Sequence, residues 1–367
     1  MNVIHPVGDH PGYEDLLGCY LHDVILGNNC NNQQTIRSKT LEGYAEAVNK
    51  LFELRDMPLP YLPHDKSNDA TVAIKNLADE ETVAKQRLPL DDKIAAECVR
   101  VGTSAHQNSS ESLIGNVICI ARYVGQRVSE YAQTQQKKVN YHTWKNSRKK
   151  IVRSWIAEDF IFYDSNHERV NLRGRTNESM SSIINDIHYM TITWRIQKNR
   201  RNGQTIKIPV DRRHVKICPV FNALQIVMRK FRLDSRNLDT PVCVFAKAHS
   251  TTPLYLTGKM VKEFLQKAVK TVRPTISEEE LQKYSAHSLR VWPCVLLDEA
   301  GKSPTYIKQR LRWEGDSYRL YLRDTTNSAF AHADALANDS AYIINAISCP
   351  NEGTIDPNNP YDTNDMD

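Results

Sequence analysis

From Thr35 onward the apolar residues fall into helical spacing. Leu41, Tyr44, Ala45, Val48, Leu51 and Phe52 make one stripe, and Pro58 and Pro60 stop the helix that carries it. Residues 1–34 have no clear period, end in the polar run GNNCNNQQ, and read as an arm or a poorly ordered lead-in. A second, weaker helical segment runs from about Ala70 to Lys85. Pro89 opens a third, with Ile94, Ala95 and Cys98 on one side. The stretch GTSAHQNSS (102–110) breaks the pattern and reads as a linker. Beyond it, Leu113, Ile114, Val117, Ile118 and Ala121 mark an amphipathic helix leading into YVGQRVSEYAQ (123–133). AEDFIFYD (157–164) and DIHYMTITWRIQ (186–197) predict strands, rich in β-branched and aromatic residues. Asn202-Gly203 supplies a turn and TIKIPV the returning strand of a hairpin. From Cys218 the chain is mostly helical, through CPVFNALQIVMRKF, Leu254–Val272, the HSLR stretch and the segment around Tyr306–Arg312. The tail beyond about Cys349 is acidic, holds three prolines and reads as disordered.

Composition narrows this only modestly. The chain has 367 residues, 40% hydrophobic and 25% charged, enough for two domains of an ordinary soluble protein. A net charge of +5 permits a nucleic-acid partner without requiring one. Cys19, Cys30, Cys98, Cys119, Cys218, Cys243, Cys294 and Cys349 are scattered. No CxxC and no Cys–His pair of zinc-ligand spacing occurs, so no disulfide framework or structural metal is expected. The N-terminus lacks the basic start and apolar core of a signal peptide. No run approaches the roughly 18 apolar residues of a membrane helix. The expectation is a soluble, intracellular protein in a reducing compartment, without a membrane partner.

Candidate chemistry concentrates in Ser285–Asp324. His287 and Arg290 stand three apart, so a helix would put both on one face. A guanidinium clamps two phosphate oxygens and an imidazole moves a proton near neutral pH. Tyr321 is the nucleophile such a clamp would serve, although an HxxR alone arises readily by chance. Arg127 either joins this group or simply pairs with Glu130. Lys198, with Arg195, Arg200 and Arg201 around the hairpin tip, is either a phosphate-contacting proton donor or part of a solvated charge cluster.

Taken in order, GQRVSE, the hairpin lysine of QKNRRNGQ, HSLR, and RLRW followed by YLR resemble the tyrosine recombinase (phage-integrase) family. The resemblance spans about Leu113 to Ala337. HSLRV, IKQRLRW and YLR look closest to its transposon-associated, eukaryotic-type branch. The resemblance implies a mainly α fold with a small antiparallel β-sheet, in which a helical core-binding domain precedes an α+β catalytic domain. The divisions would be an arm (1–34), a core-binding domain (35–108), a catalytic domain (109–348) and an acidic tail (349–367). It also implies a site-specific DNA recombinase, metal-free and cofactor-free. Such a protein clamps double-stranded DNA and works as a tetramer through a Holliday junction, in the nucleus of a eukaryotic host or otherwise in the cytoplasm. Carried over, Arg127 and Arg290 neutralise the phosphate, and Tyr321 attacks it to form a 3′-phosphotyrosine. His287 helps Tyr321 lose its proton, Lys198 protonates the leaving 5′ oxygen, and Trp313 packs the site and offers its indole N–H. Lys145, Arg148, Lys149, Lys150, Arg195, Arg200 and Arg201 are candidate DNA contacts. The segment 327–347 is either a helix exchanged between neighbours or one that packs within its own chain.

Three departures keep alternatives open. Tyr321 follows Trp313 by eight residues where bacterial members more often show nine, which leaves Tyr318 as a second nucleophile. Trp292-Pro293 stands where relatives carry small residues. Either the helix begins later or the site is distorted, so a catalytically degenerate DNA-binding protein is the alternative function. Arg148, eleven residues before Asp159, rivals Arg127 as the first arginine.

Overall fold

The computed structural model describes residues 13–25, 37–80, 87–143, 150–198 and 201–322. The chain divides into two compact units, Met1–Lys85 and Gln86–Asp367.

The first unit is helical. It comprises α1 (Tyr13–Ile25), α2 (Ser38–Glu53) and α3 (Asp69–Glu80). Helix α1 lies within the segment read as a lead-in. Its Leu17, Leu21 and Val24 fall at i, i+4 and i+7 and are buried with Leu41, Ala45, Tyr61 and Ala70. That correction follows from a stripe of only three aliphatics, too short to stand out among polar neighbours. Gly18 lets α1 approach α3, since a Cβ there would stand 2.7 Å from Asp69 Cβ. In α2 only part of the expected stripe is used: Leu41 and Ala45 are buried, while Tyr44 and Leu51 face solvent. Asn49 pins the following loop by donating to the Tyr61 carbonyl (2.6 Å) and accepting from its N–H (3.0 Å).

The second unit begins with α4 (Asp92–Ser104), capped by Asp91, whose carboxylate accepts from Ile94 N–H at 2.8 Å. Helix α5 (Ser110–Val124) follows, capped by Ser109. The segment 102–110 is therefore a tight helix–helix connection and not a domain linker. Gly102 and Gly115 face each other so closely that a Cβ on Gly102 would lie 2.8 Å from the Gly115 Cα. The expected boundary at 108/109 gives way to one at 85/86 because α4 packs on α5, inside the larger core.

The chain continues through α6 (Val128–Tyr131), β1 (Tyr141–Thr143), β2 (Lys150–Val152), β3 (Phe160–Tyr163), α7 (Met180–Asp186), β4 (Tyr189–Trp194) and β5 (Gln204–Pro209). It ends its described course with α8 (Pro219–Asp234), β6 (Val244–Phe245), β7 (Leu254–Tyr255), α9 (Gly258–Val272), α10 (Glu278–Leu281), α11 (Ser288–Glu299) and α12 (Pro304–Leu311). Strands β3-β4-β5 form an antiparallel sheet, and β1-β2 and β6-β7 form two short antiparallel pairs. The fold is mainly α with small antiparallel sheets. The β4–β5 hairpin matches its sequence reading: Trp194 pairs with Gln204, and Gly203 turns the chain at φ 82°. Met190, Ile192 and Trp194 on β4 and Ile206 and Ile208 on β5 are buried in the core around α5. Helix α11 starts at Ser288 and runs straight through Pro293, so it does not begin later, as one sequence reading allowed.

Candidate active site

Three chain segments meet at the start of α11. His287 caps the helix, and Arg290 follows in its first turn. After α12, Arg312 and Trp313 lead into a short 3-10 helix, Asp316–Tyr321. This return brings Tyr321 onto the α11 N-terminus: its hydroxyl lies 3.1 Å from His287 Nε2, and its ring centroid 5.5 Å from that of Trp313. The Arg290 guanidinium carbon stacks 4.1 Å from the Trp313 ring centroid. Tyr318, the second candidate, is fully buried with Cys294, Ile307 and Leu311 and faces the core. The Trp313 indole N–H is buried beside the Cys294 thiol, so it stacks in the site without presenting that donor to solvent.

Arg290 is aimed by backbone. Its Nη1 donates to the carbonyls of Gly125 and of Leu311, the latter at 2.6 Å. Gly125 ends α5 in the left-handed region, φ 52°, where its carbonyl can meet the guanidinium. Arg290 is only 1% exposed, and its Nε and Nη2 have no partner among the described residues. Each buried unpaired donor costs about 1–3 kcal/mol, more for a charged group. A fold tolerates that cost where a ligand completes the bonds.

Arg127 enters from α6, which it caps. The local pairing with Glu130 does form, at 3.3 Å, and Glu130 also accepts from the Arg127 N–H at 2.9 Å. Its Oε2 further accepts from the Trp194 indole (3.0 Å) and from Arg312 Nη2 (2.8 Å). Arg127 nevertheless acts on the rest of the site through its charge. Burial first, then Arg290, Arg87 and Arg127, hold the His287 pKa below its ordinary 6.5. Burial, then Arg127 and Arg312, push Arg290 down to about 9 against the opposing pull of Glu130. One carboxylate thus stands among three guanidiniums, an excess of positive charge that an anion would relieve.

The other candidates separate. Lys198 is exposed at the hairpin tip beyond Gln197, which braces the turn through Asn202, and makes no ion pair among the described residues. Lys150 on β2 and Arg201 are exposed. Arg195 is paired within the chain. Its Nε donates to Asp159 at 2.7 Å and its Nη2 to the Ser154 carbonyl at 2.7 Å, which fastens β4 to the turn before β3. Lys145, Arg148, Lys149 and Arg200 lie outside the described residues, as do the segment 327–347 and the acidic tail. The sequence reading missed Arg312, treated Glu130 only as a local partner, and passed over Arg87, which bonds the Gln282 carbonyl at 2.6 Å near His287.

No known family pattern matches the chain, and no curated protein matches it. Several solved structures are similar. The Tn1549 transposon integrase in complex with circular-intermediate DNA shares 14% identity at a TM-score of 0.42, over 88% of this chain and 85% of that one. The XerA recombinase shares 11% at 0.36, over 89% and 92%. A lambda integrase dimer bound to a core site shares 16% at 0.37, over 87% and 84%. Similarity at this level assigns no chemistry to this chain.

Proposed function

We propose that the chain is a tyrosine recombinase, of the transposon-associated type that its motifs resemble, which cuts and rejoins duplex DNA through a covalent phosphotyrosine. The observation that carries the reading is the meeting of the Tyr321 hydroxyl with His287 Nε2 at 3.1 Å, beside an Arg290 whose Nε and Nη2 are unpaired among the described residues. A neutral histidine next to a phenol is a base for it, and the lowered His287 pKa keeps the ring neutral near pH 7.

In the proposed reaction the Tyr321 oxygen attacks a backbone phosphorus and its proton passes to His287. The bond from phosphorus to the 5′ oxygen breaks, and that oxygen takes a proton from Lys198. The 3′-phosphotyrosine keeps the energy of the broken bond, so a 5′-hydroxyl reverses the step and seals the strand. Arg290 and Arg127 neutralise the non-bridging oxygens. A preorganised donor of this kind contributes roughly 3 kcal/mol to the transition state. The loss of Arg195 to Asp159 leaves Lys150 and Arg201 as the described candidates for phosphate contact away from the reacting group. The protein would act as a tetramer on DNA, with the helical DNA-binding domain preceding the catalytic domain.

The test is a nicked duplex carrying the element's own site, incubated with the protein in EDTA and run on a denaturing gel. A slow-migrating protein–DNA adduct is expected. Salt-sensitive binding without an adduct would leave a DNA-binding protein and remove the enzyme.

A further inference from the structure

Arg312 has no role in the reaction as described, yet it is built in at some expense. Its backbone is left-handed, φ 59°, where a residue with a Cβ is strained. The other described non-glycine residues with positive φ, Asp56, His167 and His249, are all exposed, whereas Arg312 is 1% exposed. Its guanidinium carbon lies over the Trp194 ring, 3.6 Å from the centroid. Nη1 donates to the Val124 carbonyl at 3.1 Å and Nη2 to Glu130 at 2.8 Å. Arg312 therefore joins the end of α5, the first strand of the hairpin and the acid that holds Arg127, and it is adjacent to Trp313.

We infer that Arg312 is a positioning residue that occupies Glu130, so that the carboxylate fixes Arg127 without cancelling its charge toward a bound phosphate. The geometry supports a division of labour on that carboxylate. Oε2 takes the Arg312, Trp194 and backbone donors, while Arg127 Nη1 reaches only Oε1, and at 3.3 Å. Without Arg312 a buried carboxylate would have Arg127 as its main cationic partner. The guanidinium would then be held closer to Glu130 and offer less to an anion. A salt bridge that merely packed the core would lower stability when broken but leave the phosphate affinity of the folded protein unchanged.

The inference rests on the proposed phosphate site, and its test has an arm that needs no strand cleavage. Inorganic phosphate is titrated into protein carrying labelled histidine and followed at the His287 ring, assigned by its loss in His287→Asn. Arg312→Gln keeps a donor for Val124 and should weaken phosphate by on the order of tenfold, the scale of one unbalanced charge at an intermediate dielectric. Arg312→Gln/Glu130→Gln should recover most of that loss, and Arg312→Lys should stay within about threefold of wild type. Adduct formation should follow the same order, with thermal melts confirming that each variant folds. Unchanged phosphate affinity in Arg312→Gln, or a loss that Glu130→Gln does not relieve, overturns the inference. If Arg312→Gln does not fold, a loss of affinity in folded Arg312→Lys does so. Should wild type bind phosphate in this order yet form no adduct, the recombinase reading fails and the role of Arg312 stands.

Discussion

Gly125 and Gly301 both adopt left-handed backbone, at φ 52° and 65°, but their surroundings differ. A Cβ on Gly301 would meet nothing within 4 Å. One on Gly125 would lie 3.1 Å from Pro293 Cγ, 3.3 Å from Leu311 Cδ2 and 3.5 Å from Arg290 Nη1. Gly301→Ala should therefore lose only the conformational part, about 1–2 kcal/mol. Gly125→Ala adds the cost of overpacking, typically about 1–3 kcal/mol, for a total of roughly 2–5 kcal/mol. Pro293 is a ring within a helix and Leu311 is fully buried, so neither can retreat easily. The neighbour most able to move is Arg290, whose guanidinium the Gly125 carbonyl holds. Urea unfolding of both variants in one buffer measures the difference, and adduct formation shows whether Arg290 was displaced. Gly125→Ala should be less stable than Gly301→Ala by at least 1 kcal/mol and should alone slow cleavage. Equal losses in the two variants, with equal rates, would refute the claim that Gly125 is where α5 docks against the arginine.

Three further outcomes follow from the same geometry. The acid limb of single-turnover cleavage, measured with subsaturating DNA, should lie below pH 6.5, because His287 acts as a base only when neutral and its pKa is lowered; a limb at or above 6.5 contradicts this assignment. Arg195→Ala should destabilise by about 3 kcal/mol in urea unfolding, since it strands the buried Asp159, and should leave the salt dependence of DNA binding unchanged; a reduced salt slope at full stability would restore Arg195 as a phosphate contact. Lys198→Ala should slow cleavage of ordinary DNA but not of DNA with sulfur at the leaving 5′ position, since a thiolate departs without a proton; equal slowing of both substrates removes Lys198 as the acid.

Patterns that repeat along the chain were legible, and contacts across it were less so. The β4–β5 hairpin was readable because alternation, β-branching and Asn202-Gly203 all favour the same structure. That His287 and Arg290 share the start of one helix could be read from their spacing, whereas only the family resemblance, not spacing, pointed to Tyr321 beside them. The end of the first domain was misplaced because GTSAHQNSS has linker composition, while the feature that makes it a tight connection, Gly102 against Gly115, involves residues on separate helices. Helix α1 escaped notice because three buried aliphatics identify its inner face only once α3 is present. Arg195 and Arg312 show the same limit for charge. A sequence counts guanidiniums but does not say that Asp159 has claimed one and that Glu130 and Trp194 hold the other. Pro293, expected to shift or distort α11, sits inside the helix and packs toward Gly125.

The central claim is that the phenol of Tyr321, and no other oxygen of the chain, becomes bonded to DNA. The direct measurement is mass-spectrometric mapping of the adduct trapped on nicked duplex, after nuclease and protease digestion. The account predicts a nucleotide 3′-phosphate on Tyr321, a normal adduct from Tyr318→Phe and none from Tyr321→Phe. A phosphate mapped to Tyr318, or an adduct that survives Tyr321→Phe, would contradict it.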